Sequence, residues 1–386
     1  MRNKLVLIFI FLTFLPAFIT FFQERSRYLK PVDLEFVKYI YPLSQYVKKG
    51  EEAAWIPDET LFTYAGWYYI NGGNPTLVNP ENPPLGKYFI GISLKLFNNP
   101  SAFNFVFGLG SLISLLLLTK YLFNNSIWGI IPIMLFSWGK LYREQLTNVP
   151  LFETIALTFL TLSIYFFIKG QNNYYFFFLS SLFLGLLWGI RPWMATAPLI
   201  IGFLIYLLFI SRKLKNAIIW FTSLSLSVLV LLAVYSKLLF LGWSIYKVLS
   251  VQKWILWYHQ SRLINVGTVW PFLYLNRWYI WWGNSGYTSV EQWSYLWPIF
   301  TTLSLLFILF IFISKFKKNS KLISGGGEID ILALWILFYL LFLSIGNINS
   351  RYIFYLIPYL YISGLYFIKI TLKGLLEKKQ ISVKIH

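Results

Sequence analysis

The chain has 386 residues, of which 58% are hydrophobic and only 12% are charged, and its mean hydropathy is +0.62. Soluble domains carry about 25% charged residues, so this composition excludes an ordinary soluble protein and indicates one that crosses the bilayer many times. The formal net charge of +19 does not indicate nucleic-acid binding, because the basic residues are scattered through short loops and form no single stripe.

The apolar runs predict an all-α polytopic membrane protein with about ten transmembrane helices, because about 18–25 apolar residues span the hydrocarbon core as a helix. The first run, residues 5–22, follows Arg2 and Lys4. A signal peptide is the alternative, but the run is long and no small-residue cleavage site follows it, so we expect an uncleaved helix. The other predicted spans cover residues 101–121, 126–140, 149–168, 174–190, 193–211, 216–238, 294–314, 329–346 and 352–371.

Lysine and arginine in the short loops predict that both termini are cytoplasmic. Two long loops then lie outside, and we expect both to carry short interfacial helices; part of the second should be an amphipathic helix on the outer surface. The predicted regions are a first transmembrane helix (1–22), a first extracytoplasmic loop with the chemical motif (23–100), a transmembrane bundle (101–240), a Trp-rich extracytoplasmic loop (241–292), C-terminal transmembrane helices (293–372) and a basic cytoplasmic tail (373–386).

The first outer loop carries an acidic pair, Asp58 and Glu59, directly after Pro57. This order places carboxylates at a helix N-terminus, where the helix dipole favours an anion; a plain helix cap is the alternative. Further along the loop, residues 82–87 contain two prolines and a glycine, which predict a stiff turn that directs Lys87 towards the membrane surface. An interfacial lysine with a snorkelling side chain is the alternative for Lys87.

Arginines recur at the predicted outer ends of spans: Arg143, Arg191 and Arg351. Each of them could be a simple helix-end anchor. Three arginines and Lys87 at one membrane depth, opposite an acidic pair, also suit a phosphate group at the level of the lipid headgroups, because Arg binds phosphate through forked hydrogen bonds and Lys as a point charge. A nearby carboxylate could take the proton of an attacking hydroxyl.

The order Asp58-Glu59, then Asn82-Pro83-Pro84-Leu85-Gly86-Lys87, resembles the first-loop signature of the protein O-mannosyltransferases and related C-type (GT-C) glycosyltransferases. In that signature an Asp-Glu pair precedes a Pro-Pro-Leu-Gly-Lys turn. Weaker similarities follow in the same order over most of the chain, at residues 143–150, 185–198, 270–282 and 351–358.

This resemblance implies a GT-C-like bundle and an enzyme that transfers a sugar with inversion from a dolichyl- or polyprenyl-phosphate donor to an acceptor hydroxyl. In the O-mannosyltransferases the sugar is mannose and the acceptor is protein Ser/Thr. The site would lie on the extracytoplasmic face of the membrane, which in a prokaryote is the plasma membrane. Implied roles are a general base for Asp58, an orienting role for Glu59, binding of the lipid phosphate for Lys87, Arg143, Arg191 and Arg351, and acceptor or structural support for Asn82, Pro83, Pro84, Asn148 and Trp270.

No cofactor or metal is expected, because Lys and Arg can stabilise the departing phosphate. The chain also has no Cys and only two His, which excludes a His/Cys metal site. The expected partners are the lipid-linked sugar, a protein or lipid acceptor and membrane lipid, with no nucleic acid.

Two departures from the family pattern keep alternatives open. The family often has an acidic residue on the second outer loop, where this chain has Asn148 with Glu144 and Glu153 nearby, so a second catalytic carboxylate is in doubt. The loop 241–292 is too short for the β-domain that eukaryotic O-mannosyltransferases insert there, so a lipid or glycan acceptor, as in the aminoarabinose transferases, is an alternative. A transporter or flippase is a different class, but it usually places ionisable residues near mid-span.

Overall fold

The structure is a computed structural model that describes residues 2–147, 150–260, 265–280, 286–316, 327–346 and 348–383. Helices make up most of it. In chain order they are α1 (Arg2–Gln23), α2 (Arg25–Leu29), α3 (Leu34–Ile40), α4 (Asp58–Ile70), α5 (Leu85–Phe97), α6 (Ala102–Leu122), α7 (Ile131–Trp138), α8 (Lys140–Thr147), α9 (Glu153–Gly170), α10 (Tyr175–Trp188), α11 (Ala197–Ile205), α12 (Leu214–Val234), α13 (Ser236–Phe240), α14 (Ile245–Gln260), α15 (Val269–Leu275), α16 (Leu296–Phe316), α17 (Ile329–Leu343), α18 (Ser350–Ile353) and α19 (Ile357–Val383).

Each of the ten predicted spans contains an apolar helix, which confirms the all-α polytopic membrane fold. Six helical stretches in the described residues are long and apolar enough to cross a bilayer: Lys4–Gln23, Ala102–Leu122, Glu153–Gly170, Leu214–Val234, Leu296–Ser314 and Ser350–Leu375. Four apolar helices are shorter: Ile127–Trp138, Tyr175–Trp188, Ala197–Ser211 and Ile329–Leu343. One reason for the irregular length is local geometry, since π-helical turns at Pro192–Thr196 and Tyr206–Ser211 flank α11.

Helix α9 lies at the centre of the bundle, where it packs against α6 and α10. Of its span, 78% is buried by protein, compared with 22% for α1, which packs against α7 at the edge. Other closely packed pairs are α10 with α12, α11 with α17 and α16 with α19. Serine hydroxyls bond across three of these contacts, Ser163 to Ser180, Ser181 to Ser223 and Ser304 to Ser363, as small polar residues do between membrane helices.

The first long loop folds into the helices α2 to α5, of which α4 and α5 cross at two glycines. A Cβ on Gly91 would lie 2.3 Å from the carbonyl oxygen of Gly66. Since a Cβ cannot approach a backbone oxygen that closely, only glycine allows the two backbones to meet here. The crossing fixes how the connection between α4 and α5, residues 71–84, leaves and enters these helices.

The second long loop contains α14, α15 and a two-stranded hairpin. Helix α14 exposes Tyr246 and Trp257 and buries Val248 and Ile255, the amphipathic pattern that the sequence predicted. The antiparallel strands β1 (Trp278–Ile280) and β2 (Gly286–Thr288) were not predicted. Their Trp, Tyr, Ile and Thr side chains favour strands, but runs of three residues are too short to show an alternating pattern.

Candidate active site

Four chain segments that are far apart in sequence meet at one end of the bundle: the start of α4, the start of α9, the residues after α10, and α18. Asp58 on α4 pairs with Arg351 on α18, and Glu153 on α9 pairs with Arg191 after α10. Arg351 also lies within electrostatic reach of Glu153 and Arg191. The two ion pairs therefore form one cluster.

Asp58 is the exposed member of this cluster. Helix α4 begins at Asp58 after an extended Pro57, and 42% of the Asp58 side chain is accessible, compared with 23% for Arg351. The Oδ2 atom lies 3.3 Å from Arg351 Nη1, and Oδ1 accepts a 3.3 Å hydrogen bond from the Tyr46 hydroxyl. Glu59, on the same turn, makes no side-chain hydrogen bond or ion pair within the described residues. Asp58 is thus a carboxylate at the rim, held on both oxygens and open to solvent.

Arg191 is the buried centre of the cluster, with 5% of its surface exposed. Its Nη2 lies 2.5 Å from Glu153 Oε1, and its Nη1 donates to Asn82 Oδ1 at 2.9 Å. The other Glu153 oxygen accepts the backbone N–H of Phe152 at 2.9 Å, while the guanidinium lies over the Phe152 ring. Arg191 therefore joins α9, α10 and the turn before α5.

Lys87 is fully buried, which differs from the surface position that the sequence suggested. Its Nζ donates to the carbonyl oxygens of Asn79 and Asn82, the latter at 2.8 Å. The reason is that α5 starts at Leu85, whose N–H donates to the Gly189 carbonyl at 3.1 Å, so the first helical turn points Lys87 under the preceding loop. Pro83 and Pro84 are buried beside it.

Burial lowers the pKa of the Lys87 ammonium to about 7, although the Glu81 carboxylate opposes this shift. Between about pH 7 and the ordinary lysine pKa of 10.5, the unfolded chain binds a proton that the folded chain has released, so stability rises with pH in that window. We expect the melting temperature of the wild type to rise relative to that of Lys87→Met from about pH 7 to pH 10. A difference that stays constant across this range would contradict the assignment.

The three predicted phosphate-binding arginines share one feature. The Nε atoms of Arg143, Arg191 and Arg351 are all buried and have no hydrogen-bond partner within the described residues. Arg143 lies on α8, which packs against α18, the helix that carries Arg351. Buried donors without partners are uncommon and costly. An anion with several oxygens is the kind of group that would satisfy such donors.

Two predicted site residues, Trp270 and Asn148, are not seen to contact the charge cluster in the described residues. Trp270 is on α15 and stacks on Tyr274, while Trp278 donates at 2.7 Å to the Ile348 carbonyl in the segment before Arg351. Asn148 lies outside the described residues. Within the described residues, no group of three or more His, Asp or Glu is arranged as a possible metal site.

Two residues of the site were not assigned a role from the sequence. Glu153 had a usable signal, because it is the sole acidic residue of the predicted span 149–168, and an ionisable residue inside a membrane span is a functional candidate. Tyr46 had none. Glu144, the other carboxylate considered for the second outer loop, accepts a 2.6 Å hydrogen bond from Gln292.

Fold and site together define a polytopic membrane protein in which a loop between apolar helices holds an exposed carboxylate that is paired with one arginine of a partly buried charge cluster. A search of solved structures finds similarity to the crystal structure of ArnT from Cupriavidus metallidurans bound to undecaprenyl phosphate, with a TM-score of 0.58 and 14% sequence identity. The match covers 96% of this chain and 61% of the ArnT chain. This similarity confirms the predicted GT-C fold. No protein-family model and no curated protein sequence matches the chain.

Proposed function

We propose that the protein is a membrane glycosyltransferase that transfers a sugar from a polyprenyl-phosphate donor to an acceptor hydroxyl. The observation that carries this proposal is the set of three buried guanidinium Nε donors without partners in the described residues, one of which belongs to Arg351, the partner of the exposed Asp58 carboxylate. The GT-C fold supports it, because the similar ArnT structure was determined with undecaprenyl phosphate bound.

The donor phosphate would bind to the arginines. Its oxygens can accept the free N–H groups of Arg143, Arg191 and Arg351, and forked donors of this kind are well suited to phosphate. Lys87 would act on the same group mainly through its charge, which the bound phosphate anion would itself favour by raising the lowered lysine pKa, since two of its N–H groups hold the carbonyls of Asn79 and Asn82. Burial strengthens these interactions because the local dielectric is low.

Asp58 would be the general base. Its carboxylate takes the proton of the acceptor hydroxyl, whose oxygen attacks the anomeric carbon on the face opposite the phosphate. The bond from the anomeric carbon to the phosphate oxygen breaks, the configuration inverts, and the lipid phosphate leaves with its charge stabilised by Arg and Lys. Glu59, with a free carboxylate on the same helical turn, would help to orient the acceptor.

Two observations bear on the identity of the sugar and of the acceptor. The first-loop motif, with Asp58-Glu59 and the turn at residues 82–87, supports mannose and protein Ser/Thr, as in the O-mannosyltransferases. The similarity to ArnT and the short second loop support the alternative of a lipid or glycan acceptor. The chain spans about 61% of the ArnT chain, so the two proteins need not treat acceptors in the same way.

The test is an assay of the purified full chain in lipid nanodiscs. Polyprenyl-phosphate mannose and other polyprenyl-phosphate sugars are each offered with a Ser/Thr-rich peptide or a lipid-linked glycan, in buffer containing EDTA. Transfer of label to one acceptor class is the expected result. Movement of the intact lipid-linked sugar across proteoliposomes without transfer would instead indicate a flippase. Reporter fusions that place residues 23–100 in the cytoplasm would overturn the proposed outward-facing site.

A further inference from the structure

The loop before α4 folds back on itself immediately next to Asp58. Ser44 and Ala54 form an isolated β-bridge, in which the Gln45 N–H donates to the Ala54 carbonyl at 3.1 Å and the Ala54 N–H donates to the Leu43 carbonyl at 2.8 Å. Ser44 is fully buried. Residues 44–56, the clamp segment, therefore form a closed loop whose two ends are held together by these hydrogen bonds.

A side chain of the clamp segment completes this closure. The Gln45 amide bonds both backbone groups of Ile56: its Oε1 accepts the N–H at 2.9 Å, and its Nε2 donates to the carbonyl at 2.8 Å. The Gln45 side chain thus forms the pair of backbone hydrogen bonds that a neighbouring β-strand would form with Ile56. Ile56 precedes Pro57 and Asp58, so the paired bonds fix the backbone from which the proposed base projects.

The next residue of the clamp segment, Tyr46, contacts the proposed general base Asp58. The Tyr46 hydroxyl donates to Asp58 Oδ1, while Arg351 holds Oδ2, so each carboxylate oxygen has one protein donor. A carboxylate oxygen has two lone-pair positions, which leaves room for an acceptor hydroxyl on each. Two donors on different oxygens also favour one orientation of the carboxylate about its terminal bond.

We propose that Tyr46 is a positioning residue for sugar transfer, which acts by fixing the orientation of the Asp58 carboxylate towards the acceptor hydroxyl. The inference rests on the proposed function, in which Asp58 is the base. In this proposal the clamp segment orients the Asp58 carboxylate towards the proton of the acceptor hydroxyl. Neither the first-loop motif nor the arginine cluster provides this orientation.

The protonation state of Tyr46 suits this role. Burial and the adjacent Asp58 charge raise the pKa of Tyr46 to about 12. The phenol therefore keeps its proton throughout the physiological range and stays a hydrogen-bond donor. It cannot itself serve as the base.

The test is Tyr46→Phe, which removes the hydroxyl and keeps the ring. We expect kcat for transfer to fall about 2- to 10-fold, the range for loss of one hydrogen bond, with the KM values for donor and acceptor and the melting temperature unchanged. Gln45→Leu should lower kcat in the same way. The matched control is Tyr39→Phe, since Tyr39 belongs to the same loop and is 69% exposed.

An unchanged kcat in Tyr46→Phe, with active wild type, would overturn the role of Tyr46 and leave the proposed function standing. A loss of kcat accompanied by a matching loss of melting temperature would show a structural role and also overturn it. A wild type that transfers no sugar from any donor of the panel would overturn both proposals together.

Discussion

Replacing Asp58 with Asn is expected to reduce kcat for sugar transfer by about 10²- to 10⁴-fold, the usual contribution of a general base. The amide has nearly the same size as the carboxylate but cannot accept the acceptor's proton. Its one carbonyl oxygen can still accept the hydrogen bond from either Tyr46 or Arg351, whereas its NH2 group cannot accept the other. The loss should therefore lie in the chemical step, and donor binding should change little.

The fold should survive this substitution. The Asp58–Arg351 pair is 3.3 Å long and its carboxylate is 42% exposed, so solvent screens it. Exposed pairs of this kind contribute about 0–1 kcal/mol to stability. The matched control is Glu52→Gln, which neutralises an exposed carboxylate of the same loop and should keep the wild-type rate.

The measurement is the initial rate at saturating donor and acceptor, with a melting curve for each variant. Asp58→Asn with the rate of the wild type would remove Asp58 from the mechanism. A comparable loss of rate in Glu52→Gln would show that the loop charge, and not a specific base, controls activity.

The fold could be predicted from the sequence because each membrane helix is visible as its own run of apolar residues. An apolar run such as residues 101–121 must form a helix in lipid, whatever surrounds it, since its backbone has no other hydrogen-bond partners. The clamp segment and the hairpin of β1 and β2 have no such local constraint. Their geometry depends on single contacts, such as the hydrogen bonds between Gln45 and Ile56. Such contacts leave no periodic pattern in the sequence.

The candidate site was predictable in part, for the same reason. Asp58 and Lys87 belong to the acidic pair and the proline-rich turn of the same loop, and the arginines recur at span ends, so their residue types and order point to phosphate chemistry. The sequence could not show how deeply each of these side chains is buried. Lys87 is fully buried because α5 begins at Leu85 and docks on Gly189, and this contact joins residues about a hundred positions apart.

Replacing Glu153 with Leu is expected to destabilise the protein by about 3–5 kcal/mol, the cost of breaking a buried ion pair by removing one partner. The Glu153 side chain is 1% exposed and that of Arg191 is 6% exposed, so no water can compensate the remaining guanidinium charge. Asn82 would remain a neutral hydrogen-bond partner of Arg191, and the Phe152 N–H at the start of α9 would lose its acceptor.

A double variant separates the charge from the packing. Glu153→Leu combined with Arg191→Met removes both charges, and it should recover much of the lost stability, because replacing a whole buried pair with apolar groups is often neutral. Activity should remain lost, since Arg191 is proposed to bind the donor phosphate. The control is Glu35→Gln, which breaks the surface pair with Lys38, where the glutamate is 84% exposed, and should change stability by about 1 kcal/mol or less. Denaturation in lipid bicelles measures all three, and a single variant as stable as the wild type would show that the Arg191 charge has another partner.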